Sequence, residues 1–100
     1  MITSVRSSGP DLTARQLAVF LKIYLEPEAE QTVRGLAAAL NVSKPAITRA
    51  LDRLEELAFT RRETDKKDRR SVIARRTTNG SAYLRTLGGY ITEASKQVKR

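Results

Sequence analysis

Apolar positions along this chain fall at helical spacing, then at strand spacing, then at helical spacing again. Leu17, Phe20, Leu21 and Tyr24 recur at intervals of three and four, so they share one helix face and predict a core stripe. Thr13 supplies the start signal: its hydroxyl can accept from the backbone three residues on while Gln16 reaches back, a capping box. The helix is expected to end near Leu25, because Pro27 disfavours helical geometry at Glu26. The acidic stretch Glu26-Pro27-Glu28-Ala29-Glu30 then reads as a solvated loop.

A shorter helix is expected from Thr32, with Val33, Leu36, Ala37 and Leu40 on one face and Gly35 and Ala38 small enough for a close neighbour. It stops at Asn41. Ser43 is a good cap for a third helix, and Pro45 sits in its first turn, where a missing N–H does no harm. Ile47, Ala50, Leu51, Leu54 and Leu57 would face inward, leaving Ser43, Lys44, Pro45, Ala46, Thr48, Arg49, Asp52 and Arg53 on the outer surface. Two helices across the turn Asn41-Val42-Ser43 have the outline of a helix-turn-helix.

Beyond Leu57 the period shortens. Phe59 to Glu63 and Ser71 to Arg76 are strand-compatible runs around the polar segment Thr64 to Arg69, which predicts a hairpin with a charged tip. Thr77-Thr78-Asn79-Gly80 has capping and turn chemistry, and Ala82, Leu84, Leu87, Tyr90, Ile91 and Ala94 predict a last helix leading into a basic tail. Gly88 and Gly89 each cost a helix about 1 kcal/mol relative to Ala, so a kink or early end is expected there. The expected organisation is a mobile arm over 1–11, a winged helix-turn-helix over 12–80, and a C-terminal helix with basic tail over 81–100. The fold class is mainly α with a small β-hairpin wing.

Composition narrows the function. One hundred residues suffice for one small core, and 19 Lys and Arg against 11 Asp and Glu leave a formal charge of +8. Residues 1–40 carry four groups of each sign, whereas residues 41–80 carry eleven basic groups against six acidic and residues 81–100 four against one. The surplus therefore belongs to the helix-turn-helix, the hairpin and the tail, and nucleic acid is the natural partner of such a surface. With neither Cys nor His, the chain lacks disulfides, thiolate nucleophiles and the commonest general base and metal ligand; no cofactor is expected. Glu55-Glu56 and the pair Asp65 and Asp68 fall on a helix surface and a hairpin rather than in an apolar pocket, which disfavours an enzyme. No apolar run approaches the roughly 20 residues that span a bilayer, and the amino terminus lacks a signal-like apolar stretch, so a soluble cytoplasmic protein with no membrane partner is expected.

A winged helix places one element in each DNA groove. The first half of the helix from Ser43 would enter a major groove about 12 Å wide, with Thr48 and Arg49 reaching base edges. Ser43, Lys44 and the first-turn amides around Pro45 suit phosphates, and Arg53 extends the same surface. Arg62, Lys66, Lys67, Arg69 and Arg70 are among eight basic groups between Arg61 and Arg76, and an Arg at the wing tip can enter a narrow minor groove. A low-specificity architectural DNA binder would use the same face, and a protein-interaction winged helix is a further alternative.

Five short motifs occur in order: Leu12-Thr13-x-x-Gln16, Leu36-Ala37-x-x-Leu40-x-Val42-Ser43, Thr48-Arg49-x-Leu51-Asp52-x-Leu54-Glu55, Asp65-x-x-Asp68-Arg69-Arg70 and Thr77-x-x-Gly80. Together they make the chain resemble a MarR-type winged helix-turn-helix regulator over about residues 12–85. The resemblance implies a bacterial homodimer on a pseudo-palindromic operator, usually repressing; whether a small-molecule inducer acts on it is unknown from the sequence. It also implies a wing in which Arg70 enters the minor groove and Asp68 orients it. Three departures stand out. Ala58 occupies a position where Gly commonly closes the recognition helix; a left-handed Ala costs about 1 kcal/mol, so a differently built junction is expected. Arg76 replaces an aliphatic residue before Thr77. The chain is also shorter than family members usually are, which leaves the helix after Gly80, through Leu84, Leu87, Tyr90 and Ile91, as the expected dimerisation element.

Overall fold

The computed structural model describes residues 11–26 and 30–98, with side chains as far as residue 89. The expected arm therefore lies outside the described residues except for Asp11. So do the middle of the acidic stretch and the side chains of Tyr90, Ile91 and Ala94.

Helix α1, Ala14–Leu25, begins with the capping box: the Gln16 N–H donates to Thr13 Oγ1 at 3.1 Å, and the Thr13 N–H donates to Gln16 Oε1 at 3.0 Å. Its buried stripe is Val19, Phe20, Ile23 and Tyr24, with Leu17 and Leu21 only half-buried at the margin. Both quartets obey helical spacing, so periodicity could not set the rotation of the helix; packing against the neighbouring helices and sheet does. Strand β1, Gln31–Thr32, follows, and Thr32 also caps helix α2, Val33–Leu40, by accepting from the Gly35 N–H at 2.9 Å. Leu36 and Ala37 are buried, whereas Gly35 and Ala38, small enough to permit a close neighbour, are exposed. Asn41 ends α2 with a left-handed φ of 56°, a conformation Asn tolerates well.

Helix α3, Lys44–Glu56, is capped by Ser43 and buries Ala46, Ile47, Ala50, Leu51 and Leu54. Ala46 belongs to the core and not to the outer face, being one turn before Ala50 on the same side. The strands β2, Thr60–Thr64, and β3, Val72–Arg76, form the hairpin, and β1 pairs with the outer edge of β3, giving the antiparallel order β1-β3-β2. Register runs from Thr60 opposite Arg76 to Thr64 opposite Val72, with Gln31 opposite Ala74. The third strand was not apparent in the sequence.

Helix α4, Thr78–Val98, passes through Gly88 and Gly89 without a break. Glycine keeps its backbone hydrogen bond, so a penalty of about 1 kcal/mol at each does not interrupt a helix of 21 residues. Gly80 lies in the first turn of α4 and not in a preceding loop, and a Cβ there would collide with Tyr24 Oη and the Phe59 carbonyl oxygen. This close approach seats α4 on the core. Tyr83, one turn on, stacks on Phe59 with centroids 4.4 Å apart and meets Phe20 edge-on at 5.4 Å. Phe20 in turn stacks on Tyr24 at 4.4 Å. Such pairs contribute roughly 0.5–1.5 kcal/mol each beyond their burial. Leu84 is also half-buried against this core.

The junction after α3 is closed as in the resemblance, with Ala in the place of Gly. Ala58 adopts φ 62°, its N–H donates to the Glu55 carbonyl at 2.9 Å, and the Phe59 N–H donates to the Leu54 carbonyl at 2.9 Å. These two bonds are a Schellman motif, and Phe59 and Leu54 are both buried beside it. The expected alternative junction is thus corrected: two backbone bonds and the burial of Phe59 outweigh the strain at one Ala.

Candidate nucleic-acid interface

Residues on the outer face of α3 follow from the residues it buries. With Ala46, Ile47, Ala50, Leu51 and Leu54 inside, Ser43, Lys44, Pro45, Thr48, Arg49 and Arg53 are all exposed. The Ser43 oxygen accepts from the Ala46 N–H at 3.2 Å, which leaves its own hydrogen free to donate outward. Lys44 and Thr48, one turn apart, line a groove shared with the wing, whereas Arg49 lines a cleft toward the start of α1 beside Thr13 and Arg15. Arg53 stands apart. It lies nine residues beyond Lys44, about 14 Å further along the axis at about 1.5 Å per residue, and pairs with Glu56 at 3.2 Å.

The wing tip is organised by two aspartates. Asp65 Oδ1 accepts from the Lys67 N–H at 2.9 Å, while Asp68 accepts from the Arg70 N–H at 3.1 Å and from the Ser71 hydroxyl at 3.4 Å. These bonds fold the loop so that Lys66, Lys67, Arg69 and Arg70 point into solvent. The Arg70 side chain is 95% exposed, and its Nε lies 3.9 Å from Asp68 Oδ1. Asp68 thus acts on Arg70 chiefly through the backbone.

Of the other wing cations, Arg61, Arg62 and Arg75 are engaged, whereas Arg76 is exposed and pairs with no carboxylate among the described residues. Arg61 pairs with Glu63 at 3.2 Å, and Arg75 with Glu63 at 3.0 Å and Glu30 at 3.6 Å. The Arg75 guanidinium holds the Glu63 carboxyl below its ordinary value. Arg62, expected among the outward-reaching wing residues, turns back onto α3 instead. Its Nε and Nη2 donate to Glu55 Oε1 at 2.9 and 2.6 Å, and Nη2 donates to Asp52 Oδ1 at 2.7 Å. Burial opposes the Arg62 charge, but these two carboxylates outweigh it and raise its pKa. Arg62 is therefore a brace between β2 and α3. Nothing in the one-dimensional pattern separates it from the free cations of the tip.

One basic residue escaped the sequence reading. Arg34, in the first turn of α2, lines the same groove as Lys44, Thr48 and Arg70, a space of about 340 Å³. It lies within residues 1–40, which carry no surplus charge, on a helix whose sequence signal is its apolar face. The Thr32 cap two residues earlier was the available signal, since it puts Arg34 at the leading end of α2. Among the described residues no cluster of three His, Cys, Asp or Glu is placed to hold a metal ion, and no helix is long and apolar enough to cross a membrane.

Three helices packed around a buried stripe, a turn between two of them and a three-stranded wing define a winged helix-turn-helix protein. The model of the MarR family matches residues 12–72, and the chain belongs to the MarR family. It is 33% identical to MarR over 87% of this chain and 61% of that one, with a TM-score of 0.72. The transcriptional regulator BldR from Sulfolobus solfataricus is 31% identical, covering 84% of this chain and 63% of its own, with a TM-score of 0.64. A variant of Staphylococcus aureus MepR bound to an oligodeoxyribonucleotide shares the fold at a TM-score of 0.78 and 22% identity, covering 86% of this chain and 62% of its own. The chain spans about three-fifths of the length of these solved structures.

Proposed function

We propose that this chain is a sequence-specific double-stranded DNA-binding transcriptional regulator acting in the bacterial cytoplasm as a homodimer. Helix α3 enters the major groove, and the wing enters the adjacent minor groove. One observation carries the reading. Arg61, Arg62 and Arg75 of the wing stem and Arg53 at the far end of α3 are paired with carboxylates, while Lys44, Arg49, Lys66, Lys67, Arg69 and Arg70 reach solvent from α3's leading half and the wing tip. The two elements that fit grooves thus each present exposed cations that no close carboxylate holds. Ser43 and Lys44 hold phosphates, Thr48 and Arg49 read base edges, and Arg70 reads the width of the minor groove. The oligodeoxyribonucleotide-bound MepR variant, which shares the fold, supports the assignment.

Selection of binding sites from random duplex DNA, followed by competition at fixed salt, tests it. A regulator prefers its selected site by roughly 10³ or more. Binding that follows only salt and A·T content would make the protein an architectural DNA binder, and the absence of duplex binding would leave a protein-interaction module. Dimerisation through α4 predicts a sedimentation mass twice that of the chain; a monomer at micromolar concentration and on DNA would remove it.

A further inference from the structure

The groove containing Arg34 has two long walls. One is the leading half of α3, with Lys44 and Thr48; the other is the end of the wing loop, with Arg70 and Ser71. If α3 lies in a major groove and the wing in the neighbouring minor groove, the sugar-phosphate strand that divides those grooves has to run between these walls. We propose that this groove seats that strand and that Arg34, from the head of the groove, binds one of its phosphates as a sequence-independent anchor. The inference rests on the functional reading above.

Charge and helix direction both support it. Arg34 and Lys44 have no ion-pair partner among the described residues, and Arg70 has only the loose contact with Asp68. Arg62, which also lines the groove, is already neutralised by Asp52 and Glu55. Helices α2 and α3 both begin at this groove, and neither has an acidic residue in its first turn. Two positive helix ends therefore add to three free cations around one space. The space between the walls, about 340 Å³, leaves room for a phosphodiester group.

The test is fluorescence anisotropy of the full chain on its selected duplex and on a random duplex, from 50 to 200 mM salt, comparing wild type, Arg34→Ala, Arg34→Gln and Arg34→Lys. Arg34→Ala and Arg34→Gln should weaken both duplexes by the same factor, roughly tenfold near 0.1 M salt, and reduce the slope of log K against log salt by about one. Arg34→Lys should restore most of the slope. Phosphate ethylation should reveal one position, on the strand between the two grooves, that blocks wild type but no longer matters to Arg34→Ala. Wild-type affinity and slope in Arg34→Ala, with Lys44→Ala impaired, overturn the anchor and leave the wider reading intact. If Lys44→Ala and Arg70→Ala are equally silent, or wild type binds no duplex, the functional reading falls with it. Unchanged circular dichroism and thermal midpoint separate lost contact from lost fold, since Arg34 is exposed.

Discussion

The Thr77 hydroxyl donates to the Ala58 carbonyl oxygen at 2.7 Å, tying the start of α4 to the turn that ends the recognition helix. Its neighbours extend the arrangement. Asn79 Nδ2 donates to the Leu57 carbonyl at 3.0 Å, and Tyr24 Oη donates to the Phe59 carbonyl at 2.7 Å while accepting from the Thr77 N–H at 2.9 Å. Three successive carbonyls of the turn are thus capped from α1 and α4. The direction in which α3 leaves the core, and the point where the wing begins, are set from outside the helix-turn-helix.

Gly80 is the sterically constrained element of that junction, and the glycines of α4 should respond in opposite ways. Gly80→Ala should destabilise the fold by about 2 kcal/mol or more, because one obstacle is backbone, the Phe59 carbonyl, which cannot swing aside. Gly88→Ala and Gly89→Ala meet nothing within 4 Å and should each stabilise by up to about 1 kcal/mol. Urea unfolding midpoints decide it, and a neutral Gly80→Ala would mean the α4 seat is looser than described.

Ala58→Gly should stabilise by about 0.5–1 kcal/mol, since glycine occupies φ 62° without the Cβ strain. The substitution leaves the two Schellman bonds and all three capped carbonyls in place. A lower thermal midpoint would show that the Ala58 conformation is relaxed and that chain entropy dominates.

What the sequence conveyed depended on range. The starts of α1 and α3 were legible because Thr13, Gln16 and Ser43 act on amides three residues away. Strand β1 was not, since its two residues acquire strand character only by pairing with Ile73 and Ala74, more than forty residues on. The same limit governs the site. Wing and recognition helix were recognisable from charge and spacing, yet whether a given Arg is free depends on carboxylates elsewhere, as with Arg62 on Asp52 and Glu55. The left-handed Ala58 eluded local propensity for a related reason: burial of Phe59 and Leu54 holds it there.

As a brace, Arg62 should affect DNA binding in a way that a phosphate contact does not. Arg62→Ala should reduce stability by about 1 kcal/mol, because exposed pairs are worth little but this guanidinium is partly buried and holds two carboxylates at once. It should weaken operator binding while leaving the salt slope unchanged, and reduce the preference for A·T-flanked sites expected from the proposed role of Arg70. Glu55→Gln should reproduce the effect without removing any cation. A slope lowered by about one unit in Arg62→Ala alone would make Arg62 a phosphate contact instead.

Thr60 is 1% exposed, and its buried hydroxyl has no hydrogen-bond partner among the described residues. Thr60→Val keeps the shape and removes the unsatisfied group, so it should be neutral or stabilising by up to about 1 kcal/mol. A loss of more than that on denaturant titration would reveal a partner for the hydroxyl.

Arg49 and Lys44 both project from the leading half of α3, and the distinction between reading and holding rests on them. Arg49→Ala should cost about 1–3 kcal/mol on the selected operator, relax preference at one position in each half-site and change random-duplex binding little. Lys44→Ala should weaken every duplex alike and lower the salt slope by about one. The geometry explains why they should differ: Lys44 faces the groove shared with the wing, where a backbone strand would lie, and Arg49 faces the opposite flank beside Arg15. Saturation binding to a library of single-base operator variants measures both effects together. Uniform loss across the library for both variants would remove Arg49 as a reader and leave discrimination to Thr48 and to the shape-sensing wing.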